Sequence, residues 1–137
     1  MNLKSIGFIG LGNVGEKLSK NLINNKNKIY IYDKNFKTYS KFKKTNVIKC
    51  KNIRELANKT NIIITCLPSP SAVKDVIKKL LPHINDSHLW IEMSTTDKNE
   101  MIRLSKAVIK KGTKVLEAPI TGGEHRAKSG NISILVA

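Results

Sequence analysis

The chain has 137 residues, 40% hydrophobic and 26% charged, which is sufficient for one folded domain with a buried core. No apolar stretch approaches the roughly 18 residues that a membrane-spanning helix needs, and no signal peptide precedes the first apolar run. We therefore expect a cytoplasmic protein without a membrane partner.

The formal net charge of +15 arises from 25 basic and 10 acidic residues. The 22 lysines accompany 14 asparagines and 18 isoleucines, a combination that AT-rich codons favour, and they are dispersed. The densest cluster, Lys41-Phe42-Lys43-Lys44, contains one aromatic residue, whereas nucleic-acid surfaces usually combine a basic stripe with a recognised motif or several stacking aromatics. We interpret the charge as a solvated surface that can also attract an anionic cofactor. A basic nucleic-acid-binding protein stays as a remote alternative.

Short apolar runs alternate with helical patterns along the chain. The apolar runs predict strands at 4–9, 28–32, 47–50, 61–66, 88–92, 113–117 and 131–136. Apolar residues spaced three or four apart predict helices at 13–24, 71–81 and 97–110, with a short one after Asn52. Such alternation indicates an α/β fold, a doubly wound parallel sheet covered by helices on both faces.

Several residues mark the predicted helix boundaries. Asn52 and Asp97 are each followed three residues later by glutamate, which is the spacing of a capping box. Pro82 should stop the helix at 71–81, and Gly112 is well placed to end the helix at 97–110.

The most informative motif is Gly10-Leu11-Gly12-Asn13-Val14-Gly15, which follows a predicted strand and opens a predicted helix. In this context the pattern G-x-G-x-x-G predicts a dinucleotide-binding turn. Gly10 makes the tight turn, Gly12 lets the backbone approach a pyrophosphate, and Gly15 lets helix and strand pack closely. The unpaired N–H groups at the helix start would bind the phosphates.

Asp33 follows the second predicted strand, where a carboxylate can accept hydrogen bonds from the hydroxyl groups of the adenosine ribose. A negative charge there would repel the 2′-phosphate of NADP. Lys34 is adjacent and could attract the same phosphate. We therefore predict NAD as the cofactor and keep NADP as the alternative.

Cysteines and histidines carry little signal for a site. Cys50 and Cys66 have no CxxC spacing, so we expect two reduced thiols and no metal site. His83 and His88 flank a predicted loop without any motif.

Several ordered motifs resemble the β-hydroxyacid dehydrogenases, which include 3-hydroxyisobutyrate dehydrogenase, tartronate semialdehyde reductase and 6-phosphogluconate dehydrogenase. Residues 7–15, Gly-Phe-Ile-Gly-Leu-Gly-Asn-Val-Gly, resemble the family's opening. Thr65-Cys66-Leu67-Pro68 resembles the Leu-Pro turn that touches the cofactor. Residues 92–97, Glu-Met-Ser-Thr-Thr-Asp, resemble the Asp-x-Ser-Thr segment, in which the residue matching Thr95 lies beside the nicotinamide.

The substrate signature of the family, which begins Asp-Ala-Pro-Val-Ser-Gly-Gly, is resembled by Glu117-Ala118-Pro119-Ile120-Thr121-Gly122-Gly123, with Ala127 and Gly130 beyond it. The resemblance implies that Thr121, Gly122 and Gly123 hold a substrate carboxylate through a hydroxyl group and backbone amides. Glutamate replaces the first aspartate, and Thr121 replaces serine. Glu124-His125-Arg126 brings charged side chains to positions that are often small or apolar. We expect His125 to be a solvated loop residue, although histidine titrates near neutrality.

The catalytic lysine of the family lies in a Gly-x-x-x-Lys-x-x-x-Asn motif on a separate helical domain, and residues 1–137 contain no such motif. Lys128 occupies a variable position and is a weak replacement. We therefore expect residues 1–137 to form a dinucleotide-binding domain truncated at its C-terminal end, with no catalytic residue in this chain.

The family resemblance implies hydride transfer between NAD(P) and a small 3-hydroxy acid, with that acid as a partner only if a helical domain completes the site. We expect no specific nucleic-acid partner, and leave a homo-oligomer open. A non-catalytic dinucleotide-binding module or remnant is the main alternative. The predicted cofactor-binding residues are Gly10, Leu11, Gly12, Asn13, Val14, Gly15, Asp33, Leu67, Pro68 and Thr95.

Overall fold

The computed structural model describes residues 5–24 and 26–137. The first residue of the strand predicted at 4–9 therefore lies outside the described residues. Among the described residues, no helix combines the length and the apolar character that crossing a membrane requires.

Six parallel strands form one sheet in the order β3-β2-β1-β4-β5-β6, and the chain reverses its winding direction beside β1. This arrangement confirms the doubly wound α/β fold. The strands are β1 (Ile6–Ile9), β2 (Ile29–Tyr32), β3 (Val47–Lys49), β4 (Ile62–Thr65), β5 (Leu89–Glu92) and β6 (Lys114–Glu117). Residues Ile9, Thr65, Glu92 and Glu117 stand in one register row at the carboxyl ends of four neighbouring strands.

The helices that cover the sheet are α1 (Asn13–Asn21), α2 (Ile53–Lys59), α3 (Pro70–Leu80) and α4 (Lys98–Ile109). Both predicted caps are present: the Asn52 side chain accepts from the Glu55 N–H at 2.8 Å, and Asp97 accepts from the Glu100 N–H at 3.0 Å. Short 3-10 helices span Phe36–Lys41 and Leu81–His83. Gly112, with φ +81°, follows α4 in the left-handed region that glycine favours.

Each face of the sheet has its own apolar core. Helices α2, α3 and α4 pack over one face, where Leu56, Ile77, Trp90 and Val108 are almost fully buried. Helix α1 covers the other face together with Phe42. The central strand β4 faces apolar partners on both sides, which explains its unbroken run of isoleucines.

The strand predicted at 131–136 is wrong in length and in pairing. Only Ser133–Ile134 (β8) are strand, paired antiparallel with Ile120–Thr121 (β7) outside the main sheet. The Leu135 N–H still donates to the Pro119 carbonyl, but proline has no N–H to return, so the ladder is interrupted. The connection also contains an unpredicted helix, α5 (Gly123–Ser129), of which only Ala127 is buried.

The cysteines and His88 are structural. Burial raises the pKa of the Cys50 thiol to about 12 and that of Cys66 to about 11, so both stay protonated near neutrality. The buried His88 ring hydrogen-bonds the Asn85 backbone N–H and the Ala57 carbonyl, which ties the start of β5 to α2. No cluster of potential metal ligands occurs within residues 5–24 and 26–137.

Candidate functional site

A cavity of about 780 Å³ lies at the carboxyl ends of the parallel strands. This edge, beside the point where the winding direction reverses, is where doubly wound sheets bind ligands. Nine of the ten predicted cofactor-binding residues line the cavity: Gly10, Gly12, Asn13, Val14, Gly15, Asp33, Leu67, Pro68 and Thr95.

The three glycines of the motif have different reasons to lack a side chain. A Cβ on Gly10, which has φ +101°, would lie 2.1 Å from the Cys66 carbonyl oxygen. A Cβ on Gly15 would lie 2.0 Å from the Gly10 carbonyl oxygen. Gly12 has an ordinary φ of −68°, and a Cβ there would meet no protein atom within 4 Å. The fold therefore requires glycine at 10 and 15, whereas the space beside Gly12 is open to a ligand.

The start of α1 borders this open space. Gly12 is the N-cap residue and offers no side chain to the first turn, and the Glu16 N–H is the first to bond within the helix, to the Gly12 carbonyl at 2.9 Å. The preceding N–H groups have no intrahelical acceptor, and the helix dipole adds positive potential there. This end of the cavity is therefore suited to phosphate oxygens.

Asp33 joins the glycine turn to the end of β2. One of its carboxylate oxygens accepts from the Leu11 N–H at 2.7 Å, and the other accepts from the Asn35 N–H at 2.8 Å. Leu11 is the predicted cofactor-binding residue that does not line the cavity, because its side chain is buried in the core and its N–H is bonded to Asp33. Lys34, exposed and adjacent, also borders the cavity.

One wall of the cavity comes from α3 and was missed from the sequence. Ala72, Asp75, Val76 and Lys79 line it at helical spacing i, i+3, i+4 and i+7. The sequence contains no sign that this side of the helix borders a cavity, because it combines an alanine and a valine with two charged side chains. The charges of Asp75 and Lys79 oppose each other, so this wall has little net charge.

The far end of the cavity is built by the segments after β4 and β5. The Leu67 N–H donates to Ser94 Oγ at 2.7 Å, which joins the two segments directly. Below them the fully buried Glu92 accepts from the Ser94 N–H at 2.5 Å and from the Thr65 hydroxyl at 2.9 Å. Burial raises the pKa of the Glu92 carboxyl group above its ordinary value. Thr95 is exposed towards the cavity.

The predicted substrate residues only partly border the cavity. Gly123 lines it, together with Ile120 and Ile132, while Thr121 and Gly122 are exposed and do not. Gly122 and Gly123 have φ values of +124° and +72°, which explains why both are glycine.

Helix α5 is docked on α1 by two polar contacts. The Asn21 side chain donates to the Ala127 carbonyl at 2.7 Å, and Lys17 pairs with Glu124 at 2.7 Å. His125 is exposed on this helix, which corrects its assignment to a loop, and Lys128 is exposed there too. Neither of these two side chains lines the cavity.

Sequence comparisons place the chain among dinucleotide-binding domains. Residues 5–137 match the family described as the NAD binding domain of 6-phosphogluconate dehydrogenase. The mitochondrial 3-hydroxyisobutyrate dehydrogenase of Mus musculus is 34% identical over 134 residues, covering 96% of this chain and 40% of that protein. The cytokine-like nuclear factor N-PAC of Pongo abelii is 26% identical, covering 98% of this chain and 25% of that protein.

Solved structures agree with the fold. A Mycobacterium tuberculosis 3-hydroxyisobutyrate dehydrogenase with L-serine superposes with a TM-score of 0.90 at 23% identity, covering 99% of this chain and 47% of that one. Psf3 in complex with NADP+ and 2-OPP gives 0.87 at 21% identity, covering 96% and 48%. This chain therefore spans less than half the length of these relatives. It belongs to the family of NAD-binding domains represented by that of 6-phosphogluconate dehydrogenase, and its cofactor is a nicotinamide dinucleotide.

Proposed function

We propose that this chain supplies the cofactor half of an oxidoreductase that transfers hydride between NAD and a small 3-hydroxy acid. The observation that carries the proposal is Gly12. Neither its backbone conformation nor any protein neighbour requires glycine there, yet it lines the cavity at the start of α1. Close approach of a pyrophosphate to the backbone gives that position a physical reason.

The cofactor orientation follows from the two ends of the cavity. We place the pyrophosphate at the N-terminus of α1 and the adenosine ribose beside Asp33, at the end of β2. The nicotinamide then lies near Leu67, Ser94 and Thr95. When bound, the nicotinamide ring supplies the hydride acceptor or donor, while the residues of this chain bind and orient it.

We propose NAD rather than NADP because of the charge beside the ribose. The Asp33 carboxylate is held in place by two backbone N–H groups, so it is preorganised for the ribose hydroxyls and opposed to a 2′-phosphate. Lys34 and Lys79 also border the cavity and act in the opposite direction. We propose that the fixed carboxylate outweighs these flexible side chains.

For the substrate, we propose that Thr121, Gly122 and Gly123 hold the carboxylate of a 3-hydroxy acid next to the nicotinamide. Gly123 and Ile120 border the cavity, which supports this placement. Lys128 and His125 do not line it, so neither is placed to take the hydroxyl proton. General acid–base catalysis typically contributes about 10²–10⁴-fold. We therefore expect this chain to bind cofactor without turning over a hydroxy acid.

A non-catalytic dinucleotide-binding module is the second candidate. The similarity to N-PAC, a protein named as a nuclear factor, supports it. Under this alternative the cavity still binds the dinucleotide, but Thr121, Gly122 and Gly123 have no carboxylate to hold.

Calorimetric titration of the chain with NAD, NADH and NADP tests the proposal, followed by titration of the NAD complex with 3-hydroxyisobutyrate. We expect NAD and NADH to bind more tightly than NADP. We also expect the hydroxy acid to bind only when cofactor is present, and Thr121→Val to weaken that second binding. Absence of all dinucleotide binding would overturn the proposal. Dinucleotide binding without any effect of hydroxy acids would favour the second candidate.

A further inference from the structure

A chain of hydrogen bonds runs beneath the far end of the cavity, from Trp90 to Leu67. The Trp90 indole N–H donates to Thr65 Oγ1 at 2.9 Å, and Thr65 is buried. An indole N–H can only donate, so the Thr65 oxygen accepts there and directs its own proton to the Glu92 carboxylate, 2.9 Å away.

The same carboxylate orients the segment that follows β5. Its second oxygen accepts from the Ser94 N–H at 2.5 Å, and Ser94 Oγ in turn accepts from the Leu67 N–H at 2.7 Å. One buried side chain therefore fixes the relative position of the turn after β4 and the segment after β5. Both carry cavity-lining residues, whereas Glu92 itself lies behind the wall.

Glu92 is an energetically costly residue at this position. It is fully buried and has no ion-pair partner among the described residues, and its neighbour in the register on β6 is Glu117. Burial raises its pKa, and Glu117 adds to that effect, so its ionised form is disfavoured by the surroundings. An apolar side chain of similar size would often be at least as stable in such a place. Stability alone therefore does not explain why a glutamate occupies position 92.

We propose that Glu92 is a positioning residue for the nicotinamide half of the dinucleotide, acting through Ser94 and Leu67. This inference rests on the proposed function, which places the nicotinamide at that end of the cavity. With Glu92 as acceptor, the Ser94 side chain and the Leu67 turn have one defined arrangement. Without it, the buried Ser94 N–H loses its partner, and the segment must shift to find another.

We expect the effect of Glu92 on binding to be confined to the nicotinamide half of the dinucleotide. The pyrophosphate and the adenosine ribose are placed against Gly12 and Asp33, on the loops after β1 and β2, and no hydrogen bond of the chain from Trp90 to Leu67 reaches those loops. ADP-ribose contains every part of NADH except the nicotinamide. Comparing NADH with ADP-ribose therefore separates positioning of the nicotinamide from general damage to the domain.

The experiment measures the dissociation constants of NADH and ADP-ribose for the wild-type chain, Glu92→Leu, Glu92→Gln and Ser94→Ala. We expect Glu92→Leu to weaken NADH binding about tenfold and ADP-ribose binding less than about twofold. Glu92→Gln keeps one acceptor oxygen for the Ser94 N–H, so NADH binding should weaken only about threefold. Ser94→Ala removes the acceptor of the Leu67 N–H and should also weaken NADH binding selectively. This variant keeps the test decisive if Glu92→Leu does not fold.

Val108→Ala is the matched control, since it removes buried volume from α4 on the same face of the sheet. It should lower the unfolding temperature and leave both dissociation constants unchanged. The inference is overturned if NADH and ADP-ribose weaken equally in the Glu92 and Ser94 variants, if neither ligand weakens, or if Val108→Ala reproduces the pattern. A wild-type chain that binds neither ligand would instead overturn the proposed function on which the inference rests.

Discussion

Residues 5–117 and residues 118–137 border the same cavity but are held in place by different means. The first region forms the six-stranded sheet with a buried core on each face. The second region contributes a short helix, a two-residue strand pair and three exposed apolar side chains, Ile134, Leu135 and Val136, at 48%, 60% and 66% exposure. It attaches to the first region through the buried Ala118 and Ala127, through Ile120 and Ile132 packed on the core, and through the polar contacts of Asn21 and Lys17.

This difference corresponds to the two functions proposed for the site, holding the cofactor and holding the substrate. The groups assigned to the cofactor are fixed by strand ends and by a helix N-terminus, and their geometry is inseparable from the fold. The groups assigned to the substrate lie on a segment outside the main sheet, which is docked on α1. Changes that distort the strand ends or the start of α1 should therefore alter stability and cofactor binding together, whereas changes in the second region should leave both largely intact.

The largest expected contrast is between two glycines that line the cavity, Gly15 in the first region and Gly123 in the second. Gly15→Ala would place a Cβ against the Gly10 backbone carbonyl, and we expect it to cost about 3 kcal/mol or more in unfolding free energy. Gly123→Ala meets no protein atom and should cost only about 1 kcal/mol for its positive φ. Urea unfolding followed by circular dichroism measures both. Equal costs would contradict the difference in rigidity between the regions.

Asp33→Asn should have the next largest effect. The amide oxygen can still accept from the Leu11 N–H, so stability should stay within about 1 kcal/mol, while the negative charge beside the ribose is lost. We expect NAD binding to weaken about tenfold and the preference over NADP to narrow. Calorimetric titration with both dinucleotides is the test. An unchanged ratio of the two affinities would show that Lys34 or Lys79 determines the choice.

A smaller effect is expected when the second region is detached from the first. Asn21→Ala removes the hydrogen bond to the Ala127 carbonyl and should cost about 1 kcal/mol, localised to α5. Amide hydrogen exchange should accelerate in residues 123–129 and stay unchanged in the strands, with the NAD affinity also unchanged. Lys17→Met, which breaks an ion pair whose glutamate is half exposed, should have a still weaker effect. Faster exchange across the sheet would mean that the regions are more tightly coupled than proposed.

The smallest expected effect is a pH dependence at Glu92. Because its pKa is raised in the folded state, its contribution favours folding below its ordinary value of 4.5 and is lost as pH rises through the raised value. The titratable groups acting on it are Glu117 on β6 and the Cys66 thiol after β4, while the covering helices contribute apolar side chains. The melting temperature of Glu92→Gln relative to wild type should therefore rise from about pH 5 to about pH 8. A constant difference would contradict the burial of an ionisable group there.

The sequence predicted the doubly wound sheet, the positions of its six strands and most of the cofactor side of the cavity, because the glycine motif, Asp33 and the Leu67-Pro68 turn are local signals at strand ends. It did not predict α5, which has only Ala127 in a buried position and therefore no apolar periodicity. The hydrogen bonds of Glu92 were also not predicted, since they depend on the strand register that sets Thr65 and Ser94 around the carboxylate. The prediction of a strand at 131–136 was wrong because an apolar run does not indicate which segment it pairs with. Here the partner segment contains Pro119, which interrupts the pairing.

Gly12→Ala gives the most direct test of the central claim, that the open space beside this residue is reserved for the cofactor. No protein atom lies within 4 Å of the added Cβ and the backbone is in an ordinary region, so the unfolding free energy should change by no more than about 1 kcal/mol. The same methyl group would occupy the approach of the pyrophosphate, and NAD binding should weaken by at least about tenfold. A folded Gly12→Ala chain that binds NAD like the wild type would contradict the account.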